Sequence, residues 1–239
     1  MGDIKKTNTL TLSILEEAPA YHQWLFEKMR PWLGKTILEV GCGVGHLTGL
    51  LLGHGKVVPS DVNEDYLKIV ANKFRNHLNL KEVFLWDIRY PLPKELDEPI
   101  DSIVCSNVLE HIKEDEKTLD HFYQCLPHGG RLILLVPALK WLYNSLDQEL
   151  GHFRRYSKGE LHQKLKAQGF KVCHLTFVNG FGVFGWFFNG TLMRRRLLPV
   201  WQVRIFNKLV PFFIQLEKII PTVMGQSLIA IGEKDGREI

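Results

Sequence analysis

Only four cysteines occur among the 239 residues, Cys42, Cys105, Cys125 and Cys173, and no two of them form a C-x-x-C pair. That spacing excludes a disulfide framework and a thioredoxin-type redox centre; it reads as reduced thiols, mostly in apolar strands or helices, of a cytoplasmic chain. The opening Met1-Gly2-Asp3-Ile4-Lys5-Lys6 lacks an apolar signal region and a serine or threonine for myristoylation, so export is not expected. Internal repeats, low-complexity tracts and long basic runs are missing, and the ten histidines show no metal-ligand spacing. With a net charge of only +4 and no RNA-recognition signature, neither a bound metal nor a nucleic-acid partner is expected. What remains, 45% hydrophobic and 23% charged, suffices to bury one full core, and residues 1–239 read as a single α/β domain.

The most informative stretch is Ile37-Leu38-Glu39-Val40-Gly41-Cys42-Gly43-Val44-Gly45-His46-Leu47, an apolar strand, a glycine turn and the start of a helix. Gly41, Gly43 and Gly45 let main-chain N–H groups approach a ligand closely. A dinucleotide loop spaces its glycines G-x-G-x-x-G to seat a pyrophosphate; here the third glycine comes one residue early and Glu39 precedes the first by two. An acid at that strand end suits a cationic amine. Asp61 follows Gly41 by about 20 residues, the separation at which a doubly wound fold accepts hydrogen bonds from ribose hydroxyls, with Val62 beside it. Asp61 could instead cap the helix expected over Glu64–Asn76. Pro59 should sit past the last paired residue of that second strand, because proline cannot donate to a central ladder.

A third strand over Glu82–Trp86 ends at Asp87, and a fourth runs through Ile103-Val104-Cys105-Ser106 into Asn107-Val108-Leu109-Glu110-His111. Carboxyl ends of successive parallel strands converge on one crevice, so Glu39, Asp61, Asp87 and Asn107 would share it. His111 there is either a base near neutral pH or a structural residue of the following helix turn.

The glycine turn and the Asn-Val-Leu-Glu-His segment together resemble class I S-adenosylmethionine (SAM)-dependent methyltransferases, of the small-molecule, ubiquinone-biosynthesis type. The resemblance implies a Rossmann-like seven-stranded sheet with its last strand antiparallel, SAM as donor, Asp87 and Ile88 at the adenine, and Ala20–Leu33 as an N-terminal helix over the cofactor from which Tyr21 could reach the donor. Trp24 in that helix reads as packing. Beyond a fifth strand, Arg131–Val136, the family places its acceptor pocket. Here the run Tyr143-Asn144-Ser145-Leu146-Asp147, then Gly151-His152-Phe153-Arg154-Arg155-Tyr156, resembles a bacterial subgroup often found with sugar-transfer enzymes. His152 is the better base candidate, with Tyr156 as a second catalytic candidate; Tyr143, Arg154 and Arg155 are substrate-binding candidates, since the guanidinium fork suits a phosphate or carboxylate. Alternatively the loop pins itself with Arg–Asp pairs while Ser157 caps the next helix.

Between a sixth strand, Lys171–Val178, and a last strand, Ser227–Gly232, lie roughly 45 residues, well beyond common connections. This insertion, residues 179–225, opens aromatic and glycine-rich, continues through Arg194-Arg195-Arg196, and shows an amphipathic pattern over Gln202–Ile220 interrupted by Pro211. A helical cap over the acceptor side, a peripheral membrane contact through residues 180–220, and a dimer surface all fit it. The expected activity is methyl transfer from SAM to a small-molecule acceptor, with a glycan- or lipid-linked hydroxyl preferred. The alternative is a catalytically silent SAM-binding accessory protein. Oligomeric state is left open.

Overall fold

The computed structural model describes residues 10, 13–14, 16–93, 96–97, 99–219 and 223–235. Strands β1 (Thr36–Val40), β2 (Lys56–Asp61), β3 (Phe84–Leu85), β4 (Ser102–Ser106), β5 (Arg131–Pro137), β6 (Phe170–Val178) and β7 (Ser227–Lys234) form one sheet in the order β3-β2-β1-β4-β5-β7-β6. The first five are parallel and β7 runs antiparallel to both β5 and β6. This is the sheet that the family resemblance implied. Strand order reverses between β1 and β4, and such switch points open a ligand crevice at the carboxyl ends of the strands.

Because side chains alternate across a strand, the buried strands feed two cores at once. Leu38, Ile103, Leu132, Leu134, Leu228 and Ala230 point to one face, against Phe122 of α4 (Asp115–Cys125) and Leu161 of α6 (Lys158–Ala167). Ile37, Val104, Ile133, Leu135, Ile229 and Ile231 point to the other, against Phe26 and Met29 of α1 (Pro19–Met29) and Leu51 of α2 (His46–Leu52). Helix α3 (Glu64–Phe74) adds Leu67 and Val70, packed near Cys42. Trp24 is buried, as its packing role required.

Three local expectations are corrected. Pro59 lies inside β2, paired in register with Glu39, not beyond the ladder. Ser60 accepts from Gly41 on the β1 side, whereas Val57 and Asp61 bond toward β3, so Pro59 turns its missing donor toward the β3 side as well. There the partner strand is interrupted between the bridge at Leu80 and the start of β3 at Phe84, and no bond is lost. That same gap shortens β3 from the expected five residues to Phe84–Leu85. Finally, Pro211 does not end the insertion's helix: α8 runs unbroken from Val200 to Ile219. Stacking of Phe213 on Phe181 at 4.3 Å and the Phe206–Tyr21 contact hold α8 from both sides of the proline and offset its absent hydrogen bond.

The chain between β6 and β7 is helical, with α7 (Gly180–Trp186), a π-turn (Phe187–Leu192) and α8. Ile220 of the expected amphipathic stretch lies outside the described residues. Helix α8 packs on α1: Asn207 Oδ1 accepts the Tyr21 amide at 3.2 Å, Arg204 forks onto Glu17 with two 2.9 Å bonds, and Val203 joins Ile14 and Ala18. Among the described residues no helix is long and apolar enough to cross a membrane.

Candidate active site

The glycine turn leaves β1 with Gly41, Gly43 and Gly45 at φ of +72°, +52° and +83°. A Cβ on Gly41 would lie 2.3 Å from the Val108 side chain, and one on Gly45 would press on Phe74, so both positions favour glycine by space as well as by backbone angle. Asp61 stitches the turn: Oδ2 accepts the Gly43 amide at 2.9 Å and Oδ1 accepts the Asn63 amide at 2.9 Å. The cap of α3 is Asn63, which accepts the Asp65 amide. Asp61 is therefore not spent as a helix cap, and its remaining lone pairs can meet ribose hydroxyls. Val62 stands exposed beside it.

Glu39 is buried beneath the turn, where Thr48 Oγ1 donates to its Oε2 at 2.6 Å. Burial, only partly countered by Thr48 and reinforced by the Asp61 charge, pushes its carboxyl up to about 8. The folded state then keeps a proton that the unfolded chain releases above pH 4.5. Between pH 4.5 and about 8 the folded state binds more protons, so stability falls as pH rises through that window. Glu39→Gln removes the titration, and its advantage over the wild type should grow from pH 5 to pH 8 by on the order of a few kcal/mol in urea unfolding. Parallel pH profiles would show that Glu39 is ionised in the fold.

At the end of β4, Asn107 adopts φ +53° and is exposed at the crevice, its amide donating to Leu135 O at 2.8 Å. Asp87 is gripped by Arg89, whose Nε lies 2.9 and 3.0 Å from the two oxygens; that hydrogen bonding holds the carboxyl below the usual carboxylate range. Ile88 is buried in the main core, and its carbonyl meets Thr118 Oγ1 and His121 Nδ1. Adenine contact through Ile88 therefore has little side chain to use. Tyr21 is committed at the junction of α1, α8 and β7, hydrogen-bonded by Asn179 and Ser227 and set edge-on against Phe206. Among the described residues of the N-terminal segment, Glu16 lies 3.3 Å from His46 at the start of α2, and the His22 ring is tilted against the same imidazole at 5.2 Å.

Beyond β5 the loop folds into α5 (Ser145–Leu150), which Asn144 and Asp147 start with a reciprocal capping box. Asp147 is fully buried and is the hub of this region. His152 Nδ1 lies 2.9 Å from Oδ1, Arg155 Nε donates to the same oxygen at 2.8 Å, and Trp186 Nε1 of α7 donates to Oδ2 at 3.1 Å. Burial opposes ionisation of Asp147, but the His152 bond and the Arg155 charge outweigh it and hold the carboxyl below its ordinary value. On its far side, His152 Nε2 faces Glu110 Oε1 at 3.8 Å, and the His111 ring stands edge-on to it at 4.7 Å. Glu110 is fully buried with no hydrogen-bond partner on either carboxyl oxygen, and burial lifts its carboxyl to about 7. Burial likewise drives His111 down to about 4, so its ring is neutral at physiological pH.

The remaining residues of the loop are scaffold, which corrects three site assignments. Arg155 is buried, bonding Asp147 and the Ala138 carbonyl, and presents no fork to a substrate. Arg154 donates to Lys113 O at 2.7 Å and pairs with Asp115 at 3.0 Å. Tyr156 is wholly buried and donates to Asp115 at 2.9 Å, so it reaches no reacting group. Tyr143 stays partly exposed but spends its hydroxyl on His152 O at 2.8 Å. Ser157 caps α6, as its sequence position required. Asp147 fulfils the Arg–Asp pairing that the sequence offered as the alternative for this loop, whereas Glu110 and Trp186 carry no role in the sequence reading, although the Glu110-His111 doublet at a strand exit was a usable signal.

The insertion packs against the loop after β5. Ser145 Oγ donates to Gly190 O and Arg195 O, Asn144 Nδ2 donates to Trp186 O, and the Arg155 guanidinium lies over the Trp186 ring at 4.9 Å.

A family model described as a methyltransferase domain matches residues 16–175. Over 109 residues the chain is 37% identical to the ubiquinone/menaquinone biosynthesis C-methyltransferase UbiE of Escherichia fergusonii, covering 43% of this chain and 42% of that one. The Citrobacter koseri counterpart is 36% identical over the same share. The chain thus aligns with less than half the length of these curated relatives. Among solved structures, the YcgJ protein of Bacillus subtilis superposes with a TM-score of 0.59 at 14% identity, covering 90% of this chain and 99% of that one. A methyltransferase-like protein of Bacillus halodurans gives 0.56 at 20% identity, covering 85% and 94%. At these identities the structural matches speak for the fold.

Proposed function

The chain belongs to the methyltransferase domain family and is a SAM-dependent enzyme, and from that premise we propose that it methylates a hydroxyl on a small glycan- or lipid-linked acceptor in the cytoplasm. The positive-φ turn, with no room for a Cβ on Gly41, and the Asp61 carboxylate beside it fit the donor. Bound SAM supplies a methyl group already activated on a sulfonium. The protein then needs to orient a nucleophile, exclude water and take up a proton. His152 carries the reading: Asp147 fixes one ring nitrogen, leaving Nε2 directed toward the buried Glu110 carboxyl, the arrangement of an oriented base. The buried hub and the Trp186 bond keep that ring from turning away.

Support for a lipid-linked acceptor comes from the insertion. Helix α8 buries Val203 and Val210 against the domain while exposing Trp201, Ile205, Leu209 and Phe212 on its other side, with Lys208 exposed among them. Arg194 and Arg196 precede it, both exposed. Apolar anchors beside cations match a segment resting in an anionic headgroup layer.

Two measurements test the proposal. Methyl transfer from labelled SAM to sugar- and lipid-linked hydroxyls should occur, and His152→Gln should lower turnover about 10²–10⁴-fold while leaving SAM affinity unchanged. The protein should float with anionic vesicles at low salt and be released at high salt. Transfer confined to carbon, as the relatives' names describe for themselves, would replace the hydroxyl assignment; absence of flotation would remove the membrane contact.

A further inference from the structure

We propose that Glu110, His111 and His152 bind a first-row divalent metal ion, Zn²⁺ or a close analogue, and that the acceptor oxygen completes its coordination. The metal site stands on the side-chain cluster alone; the acceptor's part rests on the methyl-transfer reading above. Each of the three residues offers one ligand atom, and these atoms all lie within 4.8 Å of one another. A tetrahedral site with bonds of 2.0–2.2 Å would set its ligand atoms roughly 3.4 Å apart, so binding asks the side chains to close by about an ångström.

Two independent features point into the cluster. Glu110 is wholly buried, and neither carboxyl oxygen has a hydrogen-bond partner. Buried carboxylates are normally paired, bonded or on a metal, and the side chains that offer ligand atoms beside this one are the two imidazoles. Both imidazoles, in turn, have their outer nitrogen already held: His152 Nδ1 by Asp147 at 2.9 Å, and His111 by the Gly151 carbonyl. A ligating histidine usually donates its other N–H to a carboxylate or carbonyl, which fixes the tautomer and aims the free nitrogen at the metal. Asp147 is itself anchored by Arg155 and Trp186, so the outer shell is rigid.

Two nitrogens and one carboxylate suit Zn²⁺, Co²⁺ or Fe²⁺ and disfavour Mg²⁺ and Ca²⁺, which prefer all-oxygen shells. With Arg155 balancing Asp147, a divalent ion on Glu110 leaves one net positive charge, which a deprotonated acceptor oxygen would neutralise. The cluster also lies where transfer must occur: Val108, two residues before Glu110, abuts Gly41 of the cradle, and Asn107 is exposed at the strand end between them. With the metal bound, His152 Nε2 is a ligand and no longer the base: the metal would lower the acceptor hydroxyl's pKa and hold its oxygen toward the donor, with the released proton passing to solvent.

The test is Co²⁺ titration of the full-length, chelator-treated protein, followed by visible absorption and thermal unfolding. Expected are saturable 1:1 binding with d–d bands of a four- or five-coordinate ion, displacement by Zn²⁺ and no competition from Mg²⁺. Glu110→Gln and His111→Gln should each weaken Co²⁺ at least 100-fold while the metal-free variants unfold near the wild-type temperature. No saturable d–d band in the wild type, or unchanged affinity in both variants, would overturn the site. Stoichiometric Co²⁺ binding without methylation of any hydroxyl would leave the site standing and overturn the acceptor's part in it.

Discussion

Arg155→Ala is expected to lower the unfolding free energy by about 3–5 kcal/mol, the largest loss of any single change in the loop after β5. The guanidinium is buried against an equally buried carboxylate, with Nε 2.8 Å from Asp147, and a second nitrogen bonds the Ala138 carbonyl at the end of β5. Its removal strands the Asp147 charge in the interior, loosens His152 and leaves Trp186 without its cation. Arg154→Ala, at a partly exposed pair with Asp115, should cost about 1 kcal/mol or less in the same urea titration. If Arg155→Ala instead folded normally and only raised the acceptor KM, Arg155 would be a substrate ligand after all.

The contrast between these two arginines shows where sequence reading stops. A Gly-His-aromatic-Arg-Arg-Tyr run places two cations, a base and a phenol in one short loop, and nothing in the order of residues says which of them faces inward. The answer depends on Asp147 in the preceding helix and on Asp115, about 40 residues upstream, which reaches the loop only through the tertiary fold. The sheet itself was legible because its signals are local: continuous apolar runs for buried parallel strands, a glycine turn where backbone must approach a ligand, and acids or amides at strand exits. Pro59 misled for the opposite reason. A proline is excluded from a ladder only on the side where its N–H is missing, and that side is set by register with β3. Likewise Pro211 should have broken a helix by local rules, yet tertiary packing on α1 carries α8 through it. Glu110 was passed over because a carboxylate inside a strand-exit turn has no local sign of being buried and unpartnered.

The second large effect concerns the donor. Asp61 is the carboxylate that joins the glycine turn to the end of β2, and in the proposed reading its remaining lone pairs accept the ribose hydroxyls of SAM. Hydrogen bonds to a charged group contribute about 1.5–3 kcal/mol each, so Asp61→Ala should weaken SAM by about 100-fold or more. Part of that loss comes from slackening the turn, since the Gly43 and Asn63 amides lose their acceptor as well. Arg154→Ala serves as the control and should leave SAM affinity within about 2-fold, because its partners lie in α4 and the segment before it. Calorimetric titration of the wild type, Asp61→Ala and Arg154→Ala with SAM is therefore the measurement on which the account turns. One site of micromolar-range affinity in the wild type and in Arg154→Ala, with Asp61→Ala at least 100-fold weaker, is the expected result. No binding to the wild type, or equal affinity in all three proteins, would contradict the cradle built by Gly41, Gly43, Gly45 and Asp61.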